Sequence, residues 1–556
     1  MNQKAARVST GEIFLQKMIP FERIPHQSRL FLDFLQAPPN LNEFYPEKNA
    51  PLEDFAERVL ENYKTDRTAL GDALTQLNKS LGASQKTLEN IELLRESDCL
   101  AIVTGQQAGL FSGAIYTIYK AVSAVKLAAD LKKNHIKAVP VFWIAEEDHD
   151  FEEVKKTFVL DKKGKLAESN NAPPERIENA PVGLTRLDET INETVEALFE
   201  KFSHTEFTDE IKILLSESYE PGETFSTSFA KFLTKIFADY GLIILMPLDS
   251  ELKKLCAPIY AEAVEKSDEI IAALLERNAE LKKSDYQPQV LVEKDSFPFF
   301  YQNESGVRQA LRKNLDNGKV KIHKSKTEFT VDELAAIART SSSSLSPNAL
   351  LRPVVQDYLL PTLVYFGGAA EIAYFAQNSA IYKVLKRPIT PISHRASLTI
   401  IEPKDARTLG KYDLSFTDLF DGKDALQSNV VERFLNEKTA RVFEEVEAGI
   451  NSQLMLLAAN LDAKEPTLAA NLANRRKKIL WHIAALRGKY HRAEMSKNEV
   501  AANRLENLFA ALLPHDALQE RTLNVVTFLN SYGTNFIEWV YDAIESGEQD
   551  HRILFL

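Results

Sequence analysis

Apolar residues recur in two rhythms along this chain, and the switches between them mark out its elements. Between residues 50 and 95 the spacing is three or four, through Phe55, Val59 and Leu60 and then Leu70, Leu74, Leu77 and Leu81, which predicts helices. Leu100-Ala101-Ile102-Val103 is instead an unbroken apolar run and predicts a strand, ending in Thr104-Gly105-Gln106-Gln107-Ala108-Gly109. A helix over 116–133 follows, then a second apolar run over 138–145 that stops at Glu146-Glu147-Asp148-His149-Asp150. Strands that are apolar throughout and joined through a helix suit a parallel sheet covered on both faces. Ligands of such sheets bind beyond the carboxyl ends of the strands. Both polar clusters stand at such ends.

The remaining pattern extends this framework. Residues 151–235 are charged and loop-rich, with a helix over 187–202, and read as an insertion. A third strand is predicted over 242–246, followed by Asp249 and one helix over 250–283. Within 285–340, the runs Val290-Leu291-Val292, 297–301 and 319–322 predict antiparallel hairpins in a second insertion. A last strand is predicted near 388–394. Val442, Val446, Ile450, Leu454, Leu457 and Leu461 then recur at helical spacing, and after Lys464-Glu465-Pro466 a similar pattern runs from 472 to 500. Two long helices joined by a short turn predict an antiparallel coiled-coil arm, about 50 Å or more in length at about 1.5 Å per residue. A helix over 522–546 and an apolar strand at 552–556 end the chain. The predicted organisation is α/β: a parallel-sheet core over 1–400 with insertions at about 151–235 and 285–340, the arm over 424–513, and a segment over 514–556 that returns to the core.

Composition narrows the function. Of 556 residues, 79 are acidic and 67 basic, a net charge of −12, which disfavours nucleic-acid binding. The 44% hydrophobic and 26% charged fractions exclude global disorder. Cys99 and Cys256 are too few for a disulfide framework or a cysteine-rich zinc site and predict buried, reduced thiols. The first residues lack a secretory pattern, and no window approaches the ~20 apolar residues of a membrane span, so a cytoplasmic protein is expected.

Four constellations could carry chemistry. Gly105, Gln106 and Gln107 lie in a glycine-containing strand-to-helix turn, where backbone amides can hold phosphate or carboxylate; a plain tight turn reads equally well. Glu146, Glu147, Asp148 and Asp150 surround His149, an arrangement that repels itself unless water, a cation or an ammonium group relieves it. His149 could act as a base there, and amine binding or base chemistry is expected ahead of a metal; the alternative is a solvated helix start. Arg352 is a candidate carboxylate or phosphate clamp. Gly367-Gly368 with Glu371 would permit close backbone approach and then present an acid. Lys324-Ser325-Lys326-Thr327 and Met495-Ser496-Lys497 resemble synthetase lysine loops only by chance, and the basic run on the second arm helix reads as charge pairing with the glutamates of the first, with a phosphate-holding patch as the alternative.

Taken together, the segments at 104–120, 142–150, 346–353 and 367–377 resemble the BshC family, the cysteine ligases of bacillithiol biosynthesis. They read Thr104-Gly105-Gln106-Gln107-Ala108-Gly109-Leu110-Phe111-Ser112-Gly113 with Tyr116-Thr117-Ile118-Tyr119-Lys120, then Phe142-Trp143-Ile144-Ala145 before the acidic cluster, Ser346-Pro347-Asn348-Ala349-Leu350-Leu351-Arg352-Pro353, and Gly367-Gly368-Ala369-Ala370-Glu371. The resemblance implies a Rossmann-like core related to class I synthetases, connecting-peptide insertions and a coiled coil used for homodimerisation. It implies a reaction joining the carboxyl group of L-cysteine to the amine of glucosaminyl malate; the need to activate that carboxyl makes ATP a candidate co-substrate, with no cofactor certain and no metal assigned. On this reading His149, Asp148 and Asp150 are catalytic, and Gly105, Gln106, Gln107, Glu147, Arg352 and Glu371 bind substrate. The rival expectation is a non-catalytic nucleotide-binding scaffold that recruits partners through its coiled coil.

Overall fold

The computed structural model describes residues 3–7, 13–48 and 50–556. The chain divides into two compact units: Met1–Lys162 with Ala167–Thr399 and Glu520–Leu554 form the first, and Lys163–Leu166, Ile400–Gln519 and Phe555–Leu556 the second.

A five-stranded sheet organises the first unit. Its strands are β1 (Leu100–Gln106), β2 (Ala138–Ile144), β3 (Ile243–Leu245), β4 (Thr362–Gly367) and β5 (Ile392–His394), in the spatial order β3-β2-β1-β4-β5. Every adjacent pair is parallel. All residues of β2 and β4 are buried, as are all of β1 except Gln106, which explains their unbroken apolar sequence. Leu100, Ile102, Leu363 and Phe366 of the sheet pack with Ala124, Ala128 and Leu131 of α1 (Tyr116–Lys133) and with Phe55 and Val59 of the preceding helix Leu52–Asn62. Strand order reverses between β1 and β4. A doubly wound sheet opens its ligand crevice at that switch point.

Three expectations need correction. The predicted helix over 250–283 is two, α2 (Ser250–Glu265) and Ser267–Lys283, because Lys266 leaves the helical conformation. Val290 joins no strand: its N–H donates to Gln377 Oε1 (2.9 Å) and its carbonyl accepts from Gln377 Nε2 (2.9 Å), so a side-chain amide replaces a ladder partner. The helix predicted over 522–546 breaks at Gly533, whose φ of 66° ends Val526–Tyr532 before Asn535–Ala543. The antiparallel hairpins do form, as Ser296–Gln302, Arg308–Lys313, Val320–Ile322 and Glu328–Phe329, with Leu345–Pro347 on the far edge. The C-terminal strand His551–Phe555 lies beside Ile13–Ile19, with Ile553 and Leu554 fully buried. Both cysteines are buried and free, and burial pushes their thiols up to about 12.

The second unit carries the arm. Its helices, Glu437–Asp462 with 26 residues and Pro466–Lys497 with 32, run about 39 Å and 48 Å at 1.5 Å per residue, shorter than expected. A π-helical turn at Val431–Leu435 and the cap at Asn436 set the first arm helix off from the segment before it. Arg487 reaches across to Glu432 (2.6 Å), Glu447 (3.3 Å) and Glu444 (3.4 Å), and His491 also pairs with Glu432. Among the described residues no helix is long and apolar enough to cross a membrane.

Candidate functional site

A cleft of about 340 Å³ opens at the β1/β4 switch point. The end of β1 supplies its floor. A Cβ on Gly105 would stand 2.6 Å from the Trp143 carbonyl oxygen, so only glycine lets β1 lie this close to β2. Gln106 Nε2 donates to Tyr116 Oη (3.1 Å), and Gln107 Nε2 donates to Asp148 Oδ2 (2.7 Å). The loop after β1 does not run straight into a helix: a 3₁₀ turn at Leu110–Ser112 intervenes before α1.

A buried ion pair ties the two sides of the crevice together. Lys120, on α1, is 2% exposed and pairs with Glu371 on α3 (Ala369–Val384), while also donating to Gly105 O (2.8 Å) and Gln106 Oε1 (2.9 Å). Its three N–H bonds thus meet three acceptors. Glu371 also accepts from Tyr365 Oη (2.6 Å) and the Gly368 N–H (2.8 Å). Burial works against ionisation of Glu371, yet Lys120 and these donors hold its carboxyl below the usual range.

Arg352 lies on the same cleft and is differently placed. Its Nη1 donates to Gln356 Oε1 (2.9 Å) and its Nη2 to Tyr374 Oη (3.2 Å) and Tyr365 Oη (3.4 Å), all neutral groups. Among the described residues no carboxylate lies within ion-pairing distance of it. The neighbouring Trp143 is buried, and its indole N–H has no hydrogen-bond partner among the described residues. A lone guanidinium and an unmet donor on one cavity wall suit an anionic ligand. Arg395 is compensated: its Nη2 donates to Glu520 Oε1 (2.7 Å), which returns from the C-terminal segment.

The acidic cluster is kept only in part: His149 Nδ1 lies 3.8 Å from Asp148 Oδ1 and feels both Asp148 and Asp150, whereas Glu146 and Glu147 turn to other partners. Gly105, Gln106, Gln107, Asp148, Arg352 and Glu371 line the cleft; Glu147, His149 and Asp150 do not. The turn after β2 sends successive side chains in different directions. Glu147 pairs with Lys253 of α2, which also donates to Leu345 O (2.7 Å). His149 Nδ1 faces Arg308 Nη1 at 3.2 Å, and burial together with that guanidinium lowers its pKa. Asp150 is exposed at the start of the short helix Phe151–Val154. The backbone N–H groups of His149 (2.7 Å) and Asp150 (3.2 Å) both donate to Asp148 Oδ1, so these residues act on the cleft through Asp148.

Glu146 is buried, accepts from the Leu248 N–H (2.8 Å), and is pushed by burial up to about 8. The protonated acid therefore favours the fold: its contribution is complete below the unfolded value near 4.5 and is lost as pH rises through about 8. Glu146→Gln, neutral at every pH, is expected to raise the urea midpoint at pH 9 and leave it nearly unchanged at pH 5. Equal shifts at both would contradict this.

Tyr116, Lys120, Trp143, Glu153, Tyr365, Tyr374, Arg395 and Arg521 also line the cleft, though the sequence reading assigned none of them a role. Lys120 had a legible signal. It is a lone cation in Tyr116-Thr117-Ile118-Tyr119-Lys120-Ala121-Val122, and a lysine within such an apolar run requires a buried partner.

Two family models match the chain. One, described as "Bacillithiol biosynthesis BshC, N-terminal Rossmann-like domain", covers residues 17–396; the other, "Bacillithiol biosynthesis BshC, C-terminal coiled-coil domain", covers 398–556. A Koribacter versatilis protein named "Putative cysteine ligase BshC" is 36% identical over 539 residues, covering 96% of this chain and 99% of that protein. Proteins of the same name from Solibacter usitatus and Salinibacter ruber are 35% identical over 539 residues and 29% identical over 547. Each alignment covers 96% of this chain, with 98% and 99% of the respective relative.

Proposed function

The chain belongs to the BshC family of bacillithiol biosynthesis, and from that membership we propose that it is a ligase forming the amide between the carboxyl group of L-cysteine and the amine of glucosaminyl malate. The observation that carries this reading is Arg352, a guanidinium bonded only to neutral groups inside a cleft at the strand-order switch. It would grip a carboxylate of malate or a phosphate. Asp148, held by Gln107 and two backbone N–H groups, would receive the substrate ammonium and accept its proton before the amine attacks. Gly105 and Gln106 would orient the activated carboxyl group.

A free carboxylate does not acylate an amine in water, so ATP is the proposed activating co-substrate, giving an acyl phosphate or an adenylate. Because ATP and free cysteine are the substrates, the cytoplasm is the compartment this reading requires. Incubating the full chain with L-cysteine, glucosaminyl malate and labelled ATP is expected to give the amide by mass spectrometry, with nucleotide cleavage in step. No amide under any nucleotide condition would overturn the assignment. The scaffold reading is not favoured, since these relatives carry a ligase name along nearly their whole length.

The arm is the proposed homodimer interface. Val442, Leu456, Leu457, Leu468, Trp481 and Leu486 are exposed on its two helices, at 48–65% of their surface. That much exposed apolar surface favours a covering partner. Trp481→Glu is expected to shift the protein to monomer in sedimentation velocity; a wild-type monomer would contradict the proposal.

A further inference from the structure

A second cavity, of about 180 Å³, adjoins the cleft. Gln106, Gln107, Tyr116, Glu153 and Arg521 line both, so the two are neighbours across one wall. Beyond that wall the linings differ in kind. The cleft is ringed by ion-pairing groups and aromatic rings, whereas the side chamber presents the hydroxyl residues Ser112, Thr117, Thr157 and Thr522, with Lys156 and Arg521 as its cations. Both cations face solvent, and Arg521 forms no ion pair among the described residues.

The loop carrying Ser112 is held in an unfavourable form. Phe111 and Ser112 have φ of 53° and 80°, in the left-handed region that costs side-chain-bearing residues about 1–3 kcal/mol each. Such backbone persists only where its surroundings over-determine it. Asn524 Nδ2 lies 2.8 Å from Phe111 O, 2.7 Å from Gly113 O and 3.0 Å from Thr157 Oγ1. Tyr219 Oη accepts from the Ser112 N–H (3.2 Å), and its ring meets Phe111 edge-on at 4.9 Å. All this fixes a side chain whose hydroxyl is fully buried on the chamber wall and has no hydrogen-bond partner among the described residues. An unmet buried hydroxyl costs about 1–3 kcal/mol, which a ligand hydroxyl would recover.

Resting on the ligase reading, we infer that this chamber is the subsite of the amine substrate, with the sugar ring's hydroxyls against Ser112 and Thr117 and its dicarboxylate at the rim against Arg521 and Lys156. The amine then faces the shared wall, and the cleft is left to the activated cysteine, whose anionic group meets Arg352. Two substrates that must react are held side by side, each by groups matched to its own chemistry.

Calorimetric titration of the full chain tests this without requiring turnover. Ser112→Ala keeps the Cβ and should leave the loop intact. It is expected to weaken binding of both glucosaminyl malate and glucosamine by about five- to tenfold and to leave cysteine unaffected. Thr117→Val should act in the same direction. Arg521→Gln should weaken glucosaminyl malate by about tenfold and spare glucosamine, which lacks the carboxylates. Equal weakening of the two amines by Arg521→Gln, loss of cysteine binding instead, or no response to any variant would overturn the subsite. Should the amines respond as stated while no amide forms, the subsite stands and the ligase reading falls.

Discussion

Arg352→Ala is expected to lower kcat/KM for amide formation by about 100-fold, the loss of a charge-assisted, paired hydrogen bond to an anion, while costing the fold little stability by comparison. The two halves of this expectation come from the same contacts. Gln356, Tyr365 and Tyr374 are neutral, so removing the guanidinium strands no opposite charge. What disappears is a cation with no carboxylate in ion-pairing distance, whose desolvation is offset by the surrounding hydroxyls and the more distant Glu371. Arg352→Lys should recover only part of the activity, because an ammonium keeps the charge but cannot offer two parallel N–H bonds. Steady-state kinetics beside thermal melting separates the cases. A fall in activity that merely follows a fall in melting temperature would assign Arg352 to structure.

Most of the sheet was legible because burial on both faces leaves an unbroken apolar run in the sequence, and β1, β2 and β3 each show one; β4, the strand at the switch point, was not predicted. Gly105, Gln106, Gln107, Arg352 and Glu371 were legible for a related reason: they sit at or just beyond a strand end or at a helix start, where a parallel sheet keeps its ligands. The five residues in a row at 146–150 misled in part: His149 keeps Asp148 at 3.8 Å, but adjacency in sequence at a turn says nothing about direction. Glu146 goes beneath the Leu248 amide, Glu147 to Lys253, Asp148 to the cleft and His149 to Arg308. Arg395 and Arg521 were beyond reach for the opposite reason. They come to the cleft from segments far apart in the chain, and the partner that fixes Arg395, Glu520, lies 125 residues away.

Lys120→Met is expected to destabilise the first unit by about 3–5 kcal/mol, because it leaves Glu371 as a buried carboxylate without its counter-ion. Glu371 would keep only Tyr365 Oη and the Gly368 N–H as donors. The double variant Lys120→Met with Glu371→Gln should be markedly more stable than Lys120→Met alone, since no isolated charge remains. The pH dependence gives the sharper test. In the wild type the Glu371 carboxyl is held below its usual range, so its contribution is present at neutral pH and is lost as pH falls through that depressed value. Without Lys120, burial instead raises the carboxyl, and the cost vanishes once acid protonates it in both folded and unfolded chains. The gap between wild type and Lys120→Met should therefore be widest near pH 8 and narrow toward pH 4, as read from urea unfolding followed by near-ultraviolet circular dichroism. A gap independent of pH would mean that Lys120 acts by packing alone. Activity should fall with the single variant even where it remains folded. Lys120 bonds the end of β1 through Gly105 and Gln106 and the start of α3 through Glu371, and so sets the spacing of the two walls between which the substrates must meet.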